Sequence, residues 1–365
     1  MDNRGALLIL NAIKGLTSRR IQDLIKYFGS AQAVLSSVGK IREHKFLPEQ
    51  AIQHIESFPQ ESFFLNEEKL IAAHKADVIT LWDKDYPKTL KEISNPPVVL
   101  YVKGTLNKDE EPALAIVGSR QASIYGMTMA EKFALELAEL GITIVSGLAK
   151  GIDTFAHRGA LKAKGRTIAV LGSGLANLYP RDNKKLFEEI AENGAVISEF
   201  PMTTEPLSYN FPQRNRIISG LSLGVLIVEA ALKSGALITS DFALEQGKEV
   251  FALPGKIDSP NSKGVHQLIK QGAKLITHRD DILEELKVPL KKSLVIEFQT
   301  AQVENFELNS EENEIFQQIK IQPLHIEDLA GFEKQPINRL SSVLLNLELK
   351  GLIKQLPGKN FVRCK

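Results

Sequence analysis

Seven short apolar runs, separated by segments of helix length, constrain the fold of this chain more than any other feature. Each run is bounded by glycine or polar residues, which is typical of a strand buried on both faces of a parallel sheet. Their regular alternation with amphipathic segments predicts an α/β fold, a Rossmann-like doubly wound parallel sheet with helices on both faces. The runs lie at 115–117, 142–147, 167–172, 194–200, 224–230, 249–255 and 273–277.

The loops that follow these runs are the expected place for a site, because doubly wound sheets bind ligands outside the carboxyl ends of their strands. Nearly every loop pairs Gly or Ser with one Lys or Arg. Glycine lets the backbone approach a phosphate closely, and the cation neutralises it. One nucleotide needs two or three such loops, so five or six indicate a longer track of phosphates. The loops lie at 118–120, 146–153, 172–181, 210–222, 229–235 and 254–256.

The first of these loops, Gly118-Ser119-Arg120, follows the apolar run at 113–117 and precedes a helical pattern from about Met127. Strand, glycine turn and helix start in this order predict an anion site, since the first backbone N–H groups of a helix have no partner within the helix. Arg120 adds a permanent cation with a five-donor fork.

The segment NFPQRNRIISGLS at 210–222 is the densest of the candidate loops. At ~100° per residue, Arg214 and Arg216 point about 200° apart on a helix, so both cannot face one ligand. We expect one of them to meet phosphate and the other to pair with Glu199 or Glu229. Two interpretations of Phe211 stay open: a core side chain, and a platform on which a base stacks.

An enzymatic interpretation depends on Asp153 and His157, which are spaced i, i+4 and suit an acid–base pair. Alternatively, Asp153 caps a helix that starts at Thr154. The chain has neither a complete G-x-G-x-x-G with its acidic partner nor a Walker A motif. A Rossmann-like nucleotide-processing enzyme of the phosphoribohydrolase type remains the alternative, although residues 252–259 lack a PGGxGT-type loop.

The flanks of the α/β region predict further domains. Residues 1–60 read as a small helical domain in which Gly15 separates two helices, either a helix-hairpin-helix (or SAM-like) unit or a plain αα-hairpin. Residues 61–288 form the predicted extended Rossmann-like domain, whose first part packs onto the sheet. A polar linker at 289–309 then leads to three helix patterns and a hairpin at 310–365, the layout of a winged helix.

Composition narrows the class of protein. The net charge of +1 indicates no overall basic character, so any nucleic-acid surface must be a local concentration of charge. The single cysteine, Cys364, excludes a disulfide framework and a Cys-based metal site, and the seven histidines lack metal-ligand spacing. We expect no metal and no cofactor. No apolar run approaches the ~18 residues of a membrane span, and no export signal is evident, so we expect a cytoplasmic protein.

Taken together, the loop motifs resemble the DNA-processing protein A family, also called DprA or Smf. The lead-in DYPKTLKEISNPPVVLYVKG at 85–104 is also similar to that family. The motifs are GSRxxSxYG (118–126), SGLAKGIDTFAH (146–157), YPRDN (179–183), SEF (198–200), NFPQRNRIISGLS (210–222), KSGALIT (233–239) and FALPG (251–255).

The resemblance implies a bacterial protein that binds single-stranded DNA, protects incoming strands in natural transformation and loads the RecA recombinase onto them. It further implies a homodimer formed through the Rossmann-like domain, assistance where single-strand binding protein blocks access, and no catalytic activity. Relatives often carry a lysine shortly before NFPxRNR, where residues 205–209 of this chain have no cation. Phe211 is the implied base contact, Asn215 belongs to the same motif, and the implied phosphate contacts are Gly118, Ser119, Arg120, Lys150, Arg181, Arg214 and Arg216.

Overall fold

The computed structural model describes residues 2–106, 112–286, 310–319, 324–326, 328–329, 337–350, 352–356 and 359–363. The chain divides into two compact units, residues 1–291 and 292–365. The helices before residue 60 belong to the first unit, and the domain boundary at that residue remains a prediction. The predicted linker at 289–309 lies outside the described residues.

The first unit opens with a group of helices, as the apolar spacing predicts. The Asp2 side chain accepts a hydrogen bond from the Gly5 backbone N–H at 2.8 Å and so fixes where the first helix begins. Asn11 Nδ2 at the end of that helix donates to the Glu199 carbonyl at 2.8 Å, which ties the helical group to the sheet. The helices are α1 (Asn3–Ala12), α2 (Ser18–Phe28), α3 (Ala31–Ser36), α4 (Val38–Glu43), α5 (Glu49–Ser57) and α6 (Gln60–Ala73).

A single sheet of nine described strands forms the centre of the first unit. The strands are β1 (Asp77–Thr80), β2 (Val99–Gly104), β3 (Ala113–Val117), β4 (Thr143–Ser146), β5 (Thr167–Val170), β6 (Ala195–Ser198), β7 (Gly224–Ile227), β8 (Glu249–Ala252) and β9 (Lys274–Leu275). Their order is β1-β2-β6-β5-β4-β3-β7-β8-β9. Strands β3 to β9 coincide with the seven apolar runs and pair in parallel, which confirms the predicted fold class.

Strands β1 and β2 extend this sheet on the side of β6. Both β1–β2 and β2–β6 pair antiparallel, so the segment before residue 112 packs onto the sheet as expected. Strand β1 was not predicted from the sequence. It is a four-residue strand at the edge, and its burial alternates from the exposed Asp77 to the buried Val78, so no continuous apolar run marks it.

The strand order reverses between β3 and β7, and this reversal positions the site. From β3 the chain builds β4, β5 and β6 outwards on one side, and then returns to place β7 beside β3. The loops after these two neighbours leave in opposite directions and open a crevice between them. The connecting helices are α7 (Lys88–Lys91), α8 (Ile124–Glu139), α9 (Ile152–Lys162), α10 (Lys184–Asn193), α11 (Asn210–Gly220), α12 (Gly235–Glu245), α13 (Lys263–Lys270) and α14 (Arg279–Leu286).

The second unit has a core of its own, built from side chains such as Ile315, Leu344 and Phe361. Two of the three predicted helices are present, at Ser310–Gln318 and Ile337–Leu349. Of the third, predicted at 326–330, residues 326, 328 and 329 are helical, and 327 and 330 lie outside the described residues. The predicted hairpin is confirmed as β11 (Ile353–Leu356) and β12 (Asn360–Arg363), to which an unpredicted β10 (Leu324–His325) adds a third strand.

Across the parts of both units that the structure describes, the helices are too short or too polar to cross a bilayer.

Candidate functional site

A cavity of about 780 Å³ opens at the point where the strand order reverses. Its walls come from the loops that follow strands β3 to β8, together with residues of α11 and α12. These are the loops that the sequence pattern singles out, so the fold gathers them at one edge of the sheet. Among the lining residues are Gly118, Ser119, Arg120, Asp153, Tyr179, Phe211, Arg214, Asn215, Lys233, Ser234 and Asn261.

The loop after β3 lines this cavity and is held in place by backbone hydrogen bonds. The Ser119 N–H donates to the Glu229 carbonyl at 2.7 Å, and the Ile152 N–H donates to the Ser119 carbonyl at 3.2 Å. A Cβ at Gly118 would lie 2.6 Å from Ile152 Cγ1, and one at Gly151, whose φ is +78°, would lie 2.3 Å from the Ser119 carbonyl oxygen. The two glycines therefore let the loops after β3 and β4 pack backbone against backbone.

The start of α8 is not a free anion site, which corrects the expectation from the sequence. Glu229, at the end of β7, accepts hydrogen bonds from the Ser123 N–H at 2.9 Å and from Ser123 Oγ at 2.5 Å. Its carboxyl carbon would be 2.5 Å from a Cβ on Gly126. Ser123 Oγ in turn accepts from the Gly126 N–H at 3.1 Å, so α8 has a side-chain cap with the Glu229 carboxylate beside it. Of the two predicted sources of positive charge at this loop, the exposed Arg120 is the one that lines the cavity without a described carboxylate hydrogen-bonded to it.

Arg120 is exposed and lies over an aromatic ring of another loop. Its guanidinium carbon is 4.8 Å from the centroid of Phe211, in the first turn of α11. Phe211 also contacts the backbone after β5, because a Cβ at Gly172 would be 2.7 Å from its Cδ1. Phe211 is half-buried, so its exposure fits both a side chain that packs against the core and a ring that a base can reach. Both interpretations of its role stay open.

Arg214 is buried beneath this pair. Its Nη1 donates to the carbonyls of Gly147, at 3.0 Å, and Val170, so it joins the ends of β4 and β5. Burial lowers the pKa of Arg214 to about 10, against the attraction of the neighbouring Asp153. Burial also raises the pKa of Asp153, an effect opposed by the Arg214 charge. Arg214 and Asp153 thus form a buried pair of opposite charges that both line the cavity.

The Arg216 side chain points away from the cavity, as the angle of about 200° between Arg214 and Arg216 on a helix predicts. It forms a bidentate ion pair with Glu199, with both N···O distances at 2.6 Å, which confirms that one of the two arginines pairs with Glu199 or Glu229. It is not among the residues that line the cavity. Asn215, between the two arginines, donates from Nδ2 to the Gly235 carbonyl at 3.2 Å and so links α11 to the start of α12.

The two remaining predicted cations lie on the rim. Lys150 is exposed and forms an ion pair of 2.6 Å with the equally exposed Asp182, whose hydrogen bond raises the lysine pKa. Arg181 is exposed in the same turn but lines neither the large cavity nor the smaller one beside it. The structure thus brings Lys150 close to Arg120 and Phe211, and leaves Arg181 further out.

Sequence reasoning left several lining residues out of the site. Lys233 is the cation of the loop after β7 and lines the cavity, although it is not among the site residues predicted from the sequence. No sequence pattern predicts that Asn261 lines the cavity, because it lies in a short 3₁₀ turn after β8. Its Nδ2 donates to the Gln121 carbonyl at 2.9 Å, and its carbonyl accepts from the Ala230 N–H at 2.7 Å, which brings it to the mouth of the cavity.

Asp153 and His157 do not form an acid–base pair. Asp153 is the second residue of α9, and its Oδ2 accepts the N–H groups of Gly147 at 3.1 Å and Ala149 at 3.4 Å. It therefore holds the loop after β4 and does not cap a helix that starts at Thr154. His157 is fully buried, with Nδ1 2.7 Å from Thr167 Oγ1.

Two family models match the chain. The model described as DNA recombination-mediator protein A covers residues 77–287, and the DprA winged helix domain covers residues 299–359. The first matched segment contains the residues that line the cavity, and the second lies within the second compact unit.

Similar proteins agree with these matches. The chain is 44% identical to protein Smf of Escherichia coli over 77% of this chain and 75% of that protein. It is 47% identical to DNA processing protein DprA of Streptococcus pneumoniae over 57% of this chain and 73% of the relative.

Solved structures extend the comparison to the fold. The crystal structure of DprA from Streptococcus pneumoniae covers 78% of this chain and 98% of its own, at 38% identity and a TM-score of 0.68. DprA from Helicobacter pylori, described for its single-stranded DNA binding mode, covers 60% and 98%, at 31% identity and a TM-score of 0.54. With its cavity at the strand reversal and its C-terminal winged helix, the chain belongs to the DNA recombination-mediator protein A family, DprA/Smf.

Proposed function

We propose that this protein is a recombination mediator that binds single-stranded DNA through the cavity and its rim. One observation carries the proposal: an exposed guanidinium, Arg120, lies 4.8 Å from the centroid of the half-buried Phe211 ring, and both residues line the cavity. A cation beside an aromatic ring meets both parts of a nucleotide strand, its phosphates and its bases. The Helicobacter pylori relative, described as a single-stranded DNA binder, supports the same assignment.

The distribution of charge supports a strand in preference to a single nucleotide. Lys150 and Lys233 come from the loops after β4 and β7, so the cations near Arg120 are spread around the opening rather than gathered at one point. Each phosphate neutralised on a single strand adds about −0.7 to the slope of log affinity against log salt. Binding of this kind is steeply salt-dependent and tolerant of base sequence.

A titration tests the assignment. Binding of a single-stranded oligonucleotide and of its duplex is measured at two salt concentrations for the parent protein and for Arg120→Ala. The matched control is Arg158→Ala, because Arg158 is also exposed and lies over a ring, 5.2 Å from the Phe155 centroid, but does not line the cavity. We expect single-strand preference, with a loss for Arg120→Ala alone. Tighter duplex binding, or equal affinities for the three proteins, would reject the proposal.

The proposed role is binding without catalysis. Two observations support it. The Asp153 carboxylate already accepts hydrogen bonds from two backbone N–H groups, and His157 is hydrogen-bonded to Thr167 instead of to Asp153. The alternative, a phosphoribohydrolase-type enzyme, requires a catalytic acid here. Nucleotide turnover that is abolished by Asp153→Asn would establish that alternative, and an absence of turnover in the parent protein would count against it.

We further propose that the protein acts in the cytoplasm and loads RecA onto strands covered by single-strand binding protein, the role implied by its family resemblance. The test is RecA-dependent strand exchange on DNA that single-strand binding protein has coated first. The expected result is that the parent protein shortens the lag before exchange and that Arg120→Ala does not. A lag unchanged by the parent protein would reject the loading role while leaving DNA binding intact.

A homodimer is the proposed assembly. Its support is a pair of highly exposed apolar side chains, Ile124 and Ile257, which are 80% and 88% exposed. Their segments adjoin, because the Tyr125 hydroxyl donates to the Pro254 carbonyl at 2.9 Å. Light scattering should give twice the chain mass for the parent protein and the chain mass for Ile257→Glu. A monomeric parent protein would reject this assembly.

A further inference from the structure

Three aromatic side chains form an exposed cluster on the helical group at the start of the chain, which comprises α1 to α6. Tyr27 lies near the end of α2, and His44 and Phe46 follow α4. The Tyr27 ring centroid is 4.6 Å from that of Phe46 and 6.0 Å from that of His44. Tyr27 is 57% exposed, Phe46 is 40% exposed, and His44 is exposed as well. A contiguous exposed surface of this kind is typical of a binding surface.

The backbone after α4 brings two rings of this aromatic cluster to the same face. Lys45 has a φ of +54°, in the left-handed region, and the Phe46 N–H donates to the Ile41 carbonyl at 3.2 Å. This hydrogen bond closes the C-terminus of a helix around a left-handed residue. Because the chain reverses at Lys45, His44 and Phe46 both contact Tyr27. The end of α4 thus fixes where these two rings lie.

Two exposed lysines border the aromatic cluster. Lys26 and Lys45 are each adjacent in the chain to one of its rings. In the part of the chain that the structure describes, the ion pairs of the helical group join Arg42 to Glu49 and to Glu56. Both lysines are therefore available to an anionic ligand.

The charge of the helical group favours such a ligand. Residues 1–58 hold eight Lys or Arg against five Asp or Glu, whereas the rest of the chain holds 37 against 39. Asp23 and Glu43 lower the local positive charge, so the rings carry most of the expected affinity. An acidic peptide would be held by the lysines alone, whereas a single strand uses both features, since its bases stack on rings and its phosphates meet cations.

The helix that carries Tyr27 is joined to α11, whose first turns line the cavity. Gln22 Nε2 on α2 donates to the Pro96 carbonyl at 3.3 Å. The neighbouring Asn95 carbonyl accepts from Arg216 Nε on α11 at 3.0 Å. Both helices thus contact the same turn, and Tyr27 lies only ~7.5 Å further along α2 than Gln22. The aromatic cluster is therefore within reach of a strand that is bound in the cavity.

We propose that the aromatic cluster is a second contact surface for single-stranded DNA, on which bases stack outside the cavity while Lys26 and Lys45 meet the adjoining phosphates. The inference rests on the proposed binding of single-stranded DNA and extends its footprint from the sheet to the helical group. Stacking on a ring does not depend on which base is present, so this surface adds affinity for longer strands without sequence preference.

The experiment compares two thymidine oligonucleotides that differ in length. One has about 5 residues, near the smallest site of single-strand binding folds, and the other has about 30. The short strand occupies the cavity, whereas the long strand also reaches the aromatic cluster. Tyr27→Ala is expected to weaken binding of the long strand about fivefold or more, the range for loss of one stacked base, and to leave the short strand unaffected. Tyr27→Phe, which keeps the ring, should bind both strands as the parent protein does.

A second variant tests the lysines without altering the packing of the rings. Lys26→Gln combined with Lys45→Gln should make the salt slope for the long strand shallower by about 1.4, which is ~0.7 for each of two phosphates. The slope for the short strand should not change. Leu65→Ala is the control, because Leu65 is an apolar side chain of α6 that is 60% exposed, and it should change neither affinity nor slope.

The outcomes separate this inference from the proposed function. A parent protein that binds neither strand would reject the proposed function itself. If the parent protein binds both, equal losses for the two strands with Tyr27→Ala, or no loss for the long strand, would overturn the second contact surface. Thermal unfolding should give the parent midpoint for each variant. If Tyr27→Ala lowers that midpoint, the lysine variant decides, and an unchanged slope for the long strand would overturn the inference.

Discussion

The guanidinium of Arg216 and the carboxylate of Glu199 form two parallel hydrogen bonds of 2.6 Å, and each side chain is only 6% exposed. Arg216 Nε also donates to the Asn95 carbonyl at 3.0 Å. The pair therefore fastens α11 to the end of β6 and to the turn before β2. An arginine in a motif expected to bind phosphate thus serves to position the helix that carries Phe211 and Arg214.

Loss of either member of this pair should destabilise the fold. Arg216→Ala or Glu199→Ala leaves one buried charge without its partner, which costs about 3–5 kcal/mol of unfolding free energy. Urea denaturation measures this loss. Arg216→Met combined with Glu199→Leu should recover most of it, because no charge remains to be desolvated. A stable Arg216→Ala whose salt slope for single-stranded DNA falls by about 0.7 would instead make Arg216 a phosphate contact.

The exposed pair of Lys150 and Asp182 should tune affinity in opposite directions. Asp182→Asn removes a carboxylate that competes with phosphate for the lysine, so binding of single-stranded DNA at low salt should tighten by about two- to fivefold. Lys150→Ala should weaken binding by a similar factor. Fluorescence anisotropy at several salt concentrations measures both effects. Glu189→Gln, in an exposed pair with Lys185 on α10, is the control and should have no effect. Weaker binding by Asp182→Asn would contradict this role of the pair.

His157 should make stability fall at acid pH. Burial, aided by the Arg214 charge, lowers the pKa of His157 to about 3, from 6.5 in the unfolded chain. The unfolded state therefore takes up the proton first, so the contribution of His157 to stability is complete above pH 6.5. As the pH falls from 6.5 towards 3, this contribution to the free energy of unfolding decreases by about 1.4 kcal/mol per pH unit.

Unfolding in urea at pH 5, 6 and 7 for the parent protein and His157→Asn isolates this contribution. The difference in unfolding free energy between the two should shrink as the pH falls. His44→Asn, at an exposed ring, serves as the control and should follow the parent protein. A constant difference for His157→Asn across the range would show that His157 is not held neutral.

Gly172 should be required for the position of the Phe211 ring. An added Cβ would lie 2.7 Å from Phe211 Cδ1, which is closer than real side chains approach, so Gly172→Ala must move the ring. Binding of single-stranded DNA should weaken by up to the ~1–3 kcal/mol of a stacked base. Gly39→Ala, where a Cβ meets nothing within 4 Å, is the control. Unchanged binding by Gly172→Ala would exclude a role for Phe211 in stacking.

The amino-acid pattern was enough to predict the strands of the parallel sheet, the loops that line the cavity, and the family. Strands buried on both faces must be apolar throughout, so β3 to β9 are visible as runs. β1 was missed, because an edge strand of four residues needs only alternate burial, and its partner β2 lies some twenty residues along the chain. The helical period also predicts that the side chains of Arg214 and Arg216 point in different directions.

The partner of each charged group, in contrast, could not be predicted from the sequence and follows from the tertiary fold. Glu229 satisfies the start of α8 from 106 residues away, and Glu199 takes Arg216 because β6 ends beside α11. Tyr179 contacts Phe211 because the turn after β5 and the start of α11 meet at the edge of the sheet. Local sequence shows that a cation or a helix start needs a partner. Which partner it receives depends on distances between segments that are remote in the chain, and those are set when the sheet assembles.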